Sequence, residues 1–180
     1  MTNRIILGTA QFGSKYGISN AEGKVESKNI NKILNYAKSE NIDLLDTAIE
    51  YGNCEEELSK FDMSSWNIIT KIPLIPDHIK DINAYLESQV QKSQNKLNIK
   101  NFHSLLLHSP MQLLDGRGQS IWESLQYLKL KYSIKKIGFS IYSPDELYRL
   151  MDNYKPDIVQ APYNILDNRM ESSGWLDRLQ

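Results

Sequence analysis

A single cysteine, Cys54, stands in 180 residues, so no disulfide forms within the chain. A reducing cytoplasm suits such a sequence. Long hydrophobic runs are missing too. No stretch approaches the roughly 20 apolar residues of a membrane span. The opening MTNRIILGTAQFG has too short an apolar run for a signal peptide. Nor is there an excess of either charge: 21 Lys and Arg face 22 Asp and Glu, with no long block of one sign. That balance argues against nucleic acid and against a membrane surface as partner. Low-complexity tracts, charged linkers and an evident sequence repeat are all lacking. His78 and His103 sit at no spacing that makes a metal site with other His, Cys or carboxylate residues. The stretch GTAQFGSK is not a phosphate loop, because Ser14 precedes Lys15 where that motif needs the reverse.

What the sequence does contain is alternation. Apolar residues make up 41% of it, enough for the core of one domain, read as residues 1–180. Short apolar runs occur at Ile5-Ile6-Leu7, Leu44-Leu45, Ile68-Ile69, Leu105-Leu106-Leu107, Ile137 with Phe139, and Ile158-Val159. Each is bounded by polar residues or glycine, as buried parallel strands are. Helical patterns lie between them. Ile30, Ile33, Leu34 and Ala37 share one face, as do Leu86, Val90 and Leu97, and Trp122, Leu125 and Leu128. Ser143-Pro144-Asp145-Glu146 spells a helix start with a capping box. A strand about every 30 residues, with helices between, means parallel strands and right-handed crossovers. An open doubly wound sheet and a (β/α)8 barrel both satisfy this order. The barrel usually takes about 250 residues, and only six strands can be placed here.

The polar residues that close the runs carry the chemistry. Asp46 ends the second, with Tyr51 just beyond; Lys71 closes the third; His108 the fourth; Ser140 the fifth; Gln160 the sixth. In a barrel these ends open on one rim, where active sites are built. Lys71 beside Asp46 offsets the cost of burying the carboxylate. The same ammonium near Tyr51 is expected to favour phenolate and lower the phenol pKa, tuning the residue as a proton donor. His108 is placed to hydrogen-bond a substrate oxygen. The set suits protonation of a carbonyl oxygen as its carbon receives a nucleophile or hydride.

The pieces LGTAQFG, DTAIEYG, Lys71 at the third strand end, LLLHSP, IGFSIYSPDEL and IVQAPYNILDNR resemble the aldo/keto reductase family, in family order and over nearly the whole chain. That resemblance implies a (β/α)8 barrel, here incomplete with about six βα units. It implies reduction of an aldehyde or ketone with a nicotinamide cofactor, usually NADPH. Tyr51 matches the general acid, Asp46 and Lys71 the residues that tune it, and His108 the residue that positions the carbonyl. Gly8 and Thr9 match positions close to the cofactor; Ser140 and Gln160 match residues that hold the nicotinamide carboxamide. Ile141 stands where many members have Asn, which removes one hydrogen bond to that carboxamide.

In the family, strands seven and eight and their loops grip the rest of the cofactor. A chain of six strands is therefore expected to bind NADPH weakly, and to self-associate or recruit a partner through open sheet edges. Two other readings compete with a reductase: a non-catalytic module completed by another chain, and a barrel enzyme using Lys71 as a Schiff-base nucleophile. Asp46 close by would raise the Lys71 pKa and disfavours the latter. Each site residue also has a bland reading as a cap, a solvated charge or a core aromatic. Glu55-Glu56-Glu57 reads as a solvated helix turn, and Trp175 as cover for the sheet edge.

Overall fold

A computed structural model describes residues 5–18 and 20–179. The six strands are β1 (Leu7–Gly8), β2 (Leu44–Asp46), β3 (Asn67–Ile72), β4 (Ser104–Leu107), β5 (Lys136–Ser140) and β6 (Ile158–Gln160). They pair in parallel, each with the next in sequence. The helices are α1 (Ala10–Gly13), α2 (Ser27–Ser39), α3 (Cys54–Leu58), α4 (Ile82–Leu97), α5 (Gly118–Lys131), α6 (Pro144–Leu150), α7 (Arg169–Ser172) and α8 (Trp175–Arg178), with a 3-10 turn at Pro110–Leu114. The helix at Ser143 begins as its sequence predicts. Glu146 accepts from the Ser143 backbone N–H at 3.0 Å, completing a capping box.

Sequential order does not by itself say whether the sheet is open or curled. One contact decides it. Strands β2 and β6 lie four spacings apart, about 19 Å in a flat sheet. Yet Gln160 Nε2 on β6 donates to Asp46 Oδ2 on β2 at 3.2 Å. The sheet must curl so that both side chains point into one interior, as in an incomplete (β/α)8 barrel. The alternation along β3 shows the two faces. Ile68 and Ile72 pack with Leu105 and Leu107 of β4 and with Leu86, Val90 and Leu125 of the helices. Ile69 points the other way and lines an inner cavity with Leu106, Asp46 and Gln160. Lys71, two residues after Ile69, shares that inner face.

The first strand differs from expectation. Only Leu7–Gly8 is strand, and Ile5 and Ile6 are 60% and 44% exposed. A run at the sheet edge has one neighbour only and cannot bury both faces as the central strands do. The glutamate cluster differs too. Glu55 and Glu57 are buried, and Glu56 alone faces solvent. Ser93 on α4 donates to Glu55, and Lys24, Ser27 and Lys60 surround Glu57. A three-residue run on a helix cannot point to one side, so two of these carboxylates meet neighbours from distant sequence. Trp175 is buried against Tyr148, ring centroids 5.1 Å apart.

Candidate active site

Asp46 ends β2, and its backbone carbonyl is held by the Thr9 N–H at 3.0 Å and the Thr9 hydroxyl at 2.8 Å. Its side chain turns inward. Lys71 enters from β3 with 1% exposure and donates all three ammonium hydrogens: to Asp46 Oδ1 at 2.7 Å, to the Thr47 carbonyl at 3.0 Å and to Tyr51 Oη at 3.1 Å. An ammonium has three donors and no acceptor, so this one is fully used. Tyr51 reaches the site from the turn after β2. Its N–H bonds to the Ala48 carbonyl and its own carbonyl accepts from Cys54 at the start of α3. Gly52 takes φ +58° to make that turn. Gly13 of α1 lies so close that a Cβ there would collide with the Tyr51 carbonyl oxygen.

The electrostatics run opposite to the sequence expectation for Tyr51. Burial, followed by the charge of Asp46, pushes its phenol well above the ordinary range. Burial and the carboxylate both disfavour the phenolate, so they set the sign. Tyr51 is therefore a neutral phenol at neutral pH, and it carries its proton. Burial lowers the Lys71 pKa while Asp46 opposes that shift. The net lowering differs from the expectation that Asp46 raises this pKa, but an amine enclosed and saturated in this way is held away from a carbonyl, which disfavours the Schiff-base reading.

His108 follows β4, fixed by a backbone bond to Ile72 at 2.9 Å. Its ring stands edge-on to Tyr51 with centroids 5.9 Å apart. Burial and Lys71 lower its pKa, against an upward pull from Glu50 and Asp46. Glu50 Oε2 lies 3.1 Å from His108 Nδ1, which has no hydrogen-bond partner among the described residues. The structure thus brings Asp46, Tyr51, Lys71 and His108 to one place at the strand ends.

A cavity of about 450 Å³ opens beside them, lined by Gly8, Thr9, Tyr16, Asp46, Tyr51 and Gln160 among others. A larger one, about 590 Å³, lies between the start of α4 and α5, far from these groups. Space beside the Gly8 Cα is open. The Thr9 hydroxyl is spent on the Asp46 carbonyl and receives the Cys54 thiol at 3.2 Å. Ser140 pairs in register with Gln160 across β5 and β6. Gln160 Oε1 is buried without a partner among the described residues. Ile141 is buried in the core, as its side chain requires. Burial raises the Cys54 pKa and keeps it a thiol.

Three neighbours escaped sequence reasoning. Glu50 sits next to Tyr51, but nothing in the chain says that it reaches the end of β4. Tyr16 lies 6.5 Å from the Tyr51 ring, and both Tyr16 and Tyr142 add to the upward shift of Tyr51. Their exposed aromatic faces read as ordinary loop residues. The described residues contain no group of three or more His, Cys, Asp or Glu able to hold a metal. None of their helices is long and apolar enough to cross a membrane.

Residues 4–180 match the model of the Aldo/keto reductase family. The chain belongs to that family. Its fold is similar to an aldo-keto reductase from Pseudomonas aeruginosa, at 22% identity and TM-score 0.75 over 96% of this chain and 68% of that one. The holo form of an aldo-keto reductase from Bacillus halodurans matches at 20% identity and TM-score 0.74, over 97% of this chain and 58% of that one. A glycerol dehydrogenase from Gluconobacter oxydans matches at 21% identity and TM-score 0.68, over 95% of this chain and 54% of that one. The chain thus spans about two thirds or less of each. Comparison with curated proteins returned no match.

Proposed function

We propose that residues 1–180 form one domain carrying the proton-transfer site of a reductase that uses NADPH to reduce an aldehyde or ketone. The observation that carries this reading is the saturation of Lys71. Because Tyr51 Oη accepts from that ammonium at 3.1 Å, the phenol's own proton is left for a substrate oxygen. Burial keeps that proton in place at neutral pH. As a carbonyl oxygen gains negative charge, Tyr51 protonates it, and the phenolate left behind is stabilised by the adjacent ammonium. Asp46 anchors the ammonium and fixes its direction. A bound nicotinamide supplies the hydride.

The residues present fit such a cofactor in part. Gln160 Oε1 is a buried acceptor without a partner, suited to a carboxamide N–H, and Ser140 is its register neighbour. Gly8 leaves room for a flat ring. Thr9 acts indirectly, by holding Asp46. A reducing cytoplasm suits the buried thiol of Cys54.

One observation favours a second reading for residues 1–180 by themselves. Strands β1 and β6 each have a single paired neighbour among the described residues. The free edges of the pair suit further parallel strands, from more chain or from a partner, and NADPH binding without them is weak. The test is a fluorescence titration with NADPH on residues 1–180 and on a chimera joined to the last βα units of a solved relative. Binding that tightens in the chimera, with aldehyde-dependent loss of NADPH absorbance, supports the reading. Absence of binding in both removes it. A stable monomer of residues 1–180 that turns over aldehydes removes the second reading.

A further inference from the structure

We propose that Tyr16 selects the substrate class: its ring is the wall against which the flat ring of an aryl aldehyde or ketone stacks while Tyr51 protonates the carbonyl oxygen, and Gln11 and Asn20 are positioning residues that hold it there. Tyr16 lies on the loop between α1 and α2 and lines the cavity of about 450 Å³ beside Tyr51 and Asp46. It is 60% exposed. A single exposed tyrosine is ordinary; this one is set apart by how it is held. Gln11 Nε2 and Asn20 Nδ2 both donate to its backbone carbonyl, at 3.0 and 2.9 Å. Asn20 also donates to the Gly23 carbonyl and accepts from the Gly23 N–H, each at 2.8 Å, so both of its amide hydrogens are used. Gly17, the next residue, takes φ +99° to make the turn. At the far end of the loop Lys24 Nζ donates to Asn53 at 2.6 Å and to Glu57 at 3.1 Å. Glu57 lies on α3 and Asn53 just before it, directly after the turn that carries Tyr51. The loop and the proton donor therefore share one frame.

The consequence falls on substrate class, and it rests on the proposed reductase. The Tyr16 and Tyr51 ring centroids are 6.5 Å apart, with their planes at 31°. Aromatic pairs meet at about 4.5–7 Å, so this pair sits near the outer limit and leaves a Tyr16 face open. A ring carried on the substrate carbonyl can use that face. Leu7, Ala10, Val25 and Ile33 line the same cavity. Such a wall favours an apolar ring over a sugar, whose hydroxyls would lose water without gaining partners. An unbranched aliphatic aldehyde makes no ring contact there. Because the loop is fixed beforehand, stacking on Tyr16 orders little further chain, and the contact is kept as affinity.

The test uses residues 1–180 without cofactor, and 4-nitrobenzyl alcohol, hexan-1-ol and xylose as probes. Tyrosine rings are labelled with ¹³C, and Y16F assigns the Tyr16 signals by their change. The expected result is a shift of those signals by 4-nitrobenzyl alcohol and a Kd about 2–10-fold weaker in Y16L, with the affinity kept in Y16F. The hexan-1-ol Kd stays the same in all three. N20A keeps the ring but frees the Tyr16 carbonyl, so it lowers the affinity for 4-nitrobenzyl alcohol relative to hexan-1-ol, a ratio that general loosening would not move. Tyr16 and Asn20 lie on a surface loop, so these variants fold, as circular dichroism checks. Unmoved Tyr16 signals in the wild type, equal affinities in the wild type and Y16L, or tighter binding of xylose than of 4-nitrobenzyl alcohol overturns the proposal. With no NADPH present, this readout stands or falls apart from the reductase reading, which turnover by the chimera tests. Where turnover is measured, kcat/KM for 4-nitrobenzaldehyde relative to hexanal falls in Y16L.

Discussion

Replacing Lys71 by Met tests the pair at the centre of the site through stability alone. Lys71 is 1% exposed and the Asp46 side chain 12%, so solvent screens the pair little. Met keeps the length of the stem and deletes the bonds to Asp46, Thr47 and Tyr51. Breaking a buried pair costs about 3–5 kcal/mol, because the surviving charge is left without a partner. Asp46 retains the Gln160 bond and some water, which places the loss near the lower end, about 3 kcal/mol. In urea, with m of about 2 kcal/mol/M, the midpoint falls by roughly 1.5 M. The double variant K71M/D46L removes both charges and should recover most of that loss, since apolar replacements of buried pairs are often neutral. A double-mutant cycle read by circular dichroism then gives a favourable coupling of about 2–3 kcal/mol between Asp46 and Lys71. Additive single losses, or a K71M loss under about 1 kcal/mol, would refute the reasoning.

Other outcomes follow from the same geometry. G13A pushes a methyl group into the Tyr51 carbonyl and should destabilise by about 1–3 kcal/mol, measured by thermal unfolding. Lys60, Ser27 and Lys24 hold the Glu57 carboxyl at about 2, against a model-peptide value of 4.5. A depressed carboxyl adds stability above pH 4.5 that is lost as pH falls through about 2, so E57Q should flatten the acid limb of the stability curve over that window. Glu55 shifts the other way, raised by burial. Its folded state binds the proton more tightly, so it lowers stability as pH rises past its unfolded value, and E55Q should unfold at a higher temperature than wild type at pH 7.

Much of the fold was legible because burial on two faces leaves a mark on every central strand. Ile68-Ile69 and Leu105-Leu106-Leu107 can hardly be anything else, and Ser143 to Glu146 encodes its helix start in side-chain chemistry. Curvature was not legible from the residues, since a short apolar run looks the same in a flat sheet and in a barrel. The contact from Gln160 to Asp46 exists only in three dimensions. The strand-end residues were readable as a set. The protonation state of Tyr51 was not, because it depends on how deeply the phenol is buried and on the charge of Asp46, which only the folded chain sets. Glu55 and Glu57 were misread for a related reason. Three adjacent acids look solvated until Ser93 and Lys24 arrive from elsewhere in the chain.

The most direct measurement is the rate of NADPH oxidation with 4-nitrobenzaldehyde by the wild type and by Y51F, in residues 1–180 and in the chimera carrying the last βα units. A proton held on Tyr51 for the carbonyl oxygen predicts a loss of about 10²–10⁴-fold in Y51F, with NADPH affinity unchanged. Equal rates for the two proteins would contradict it.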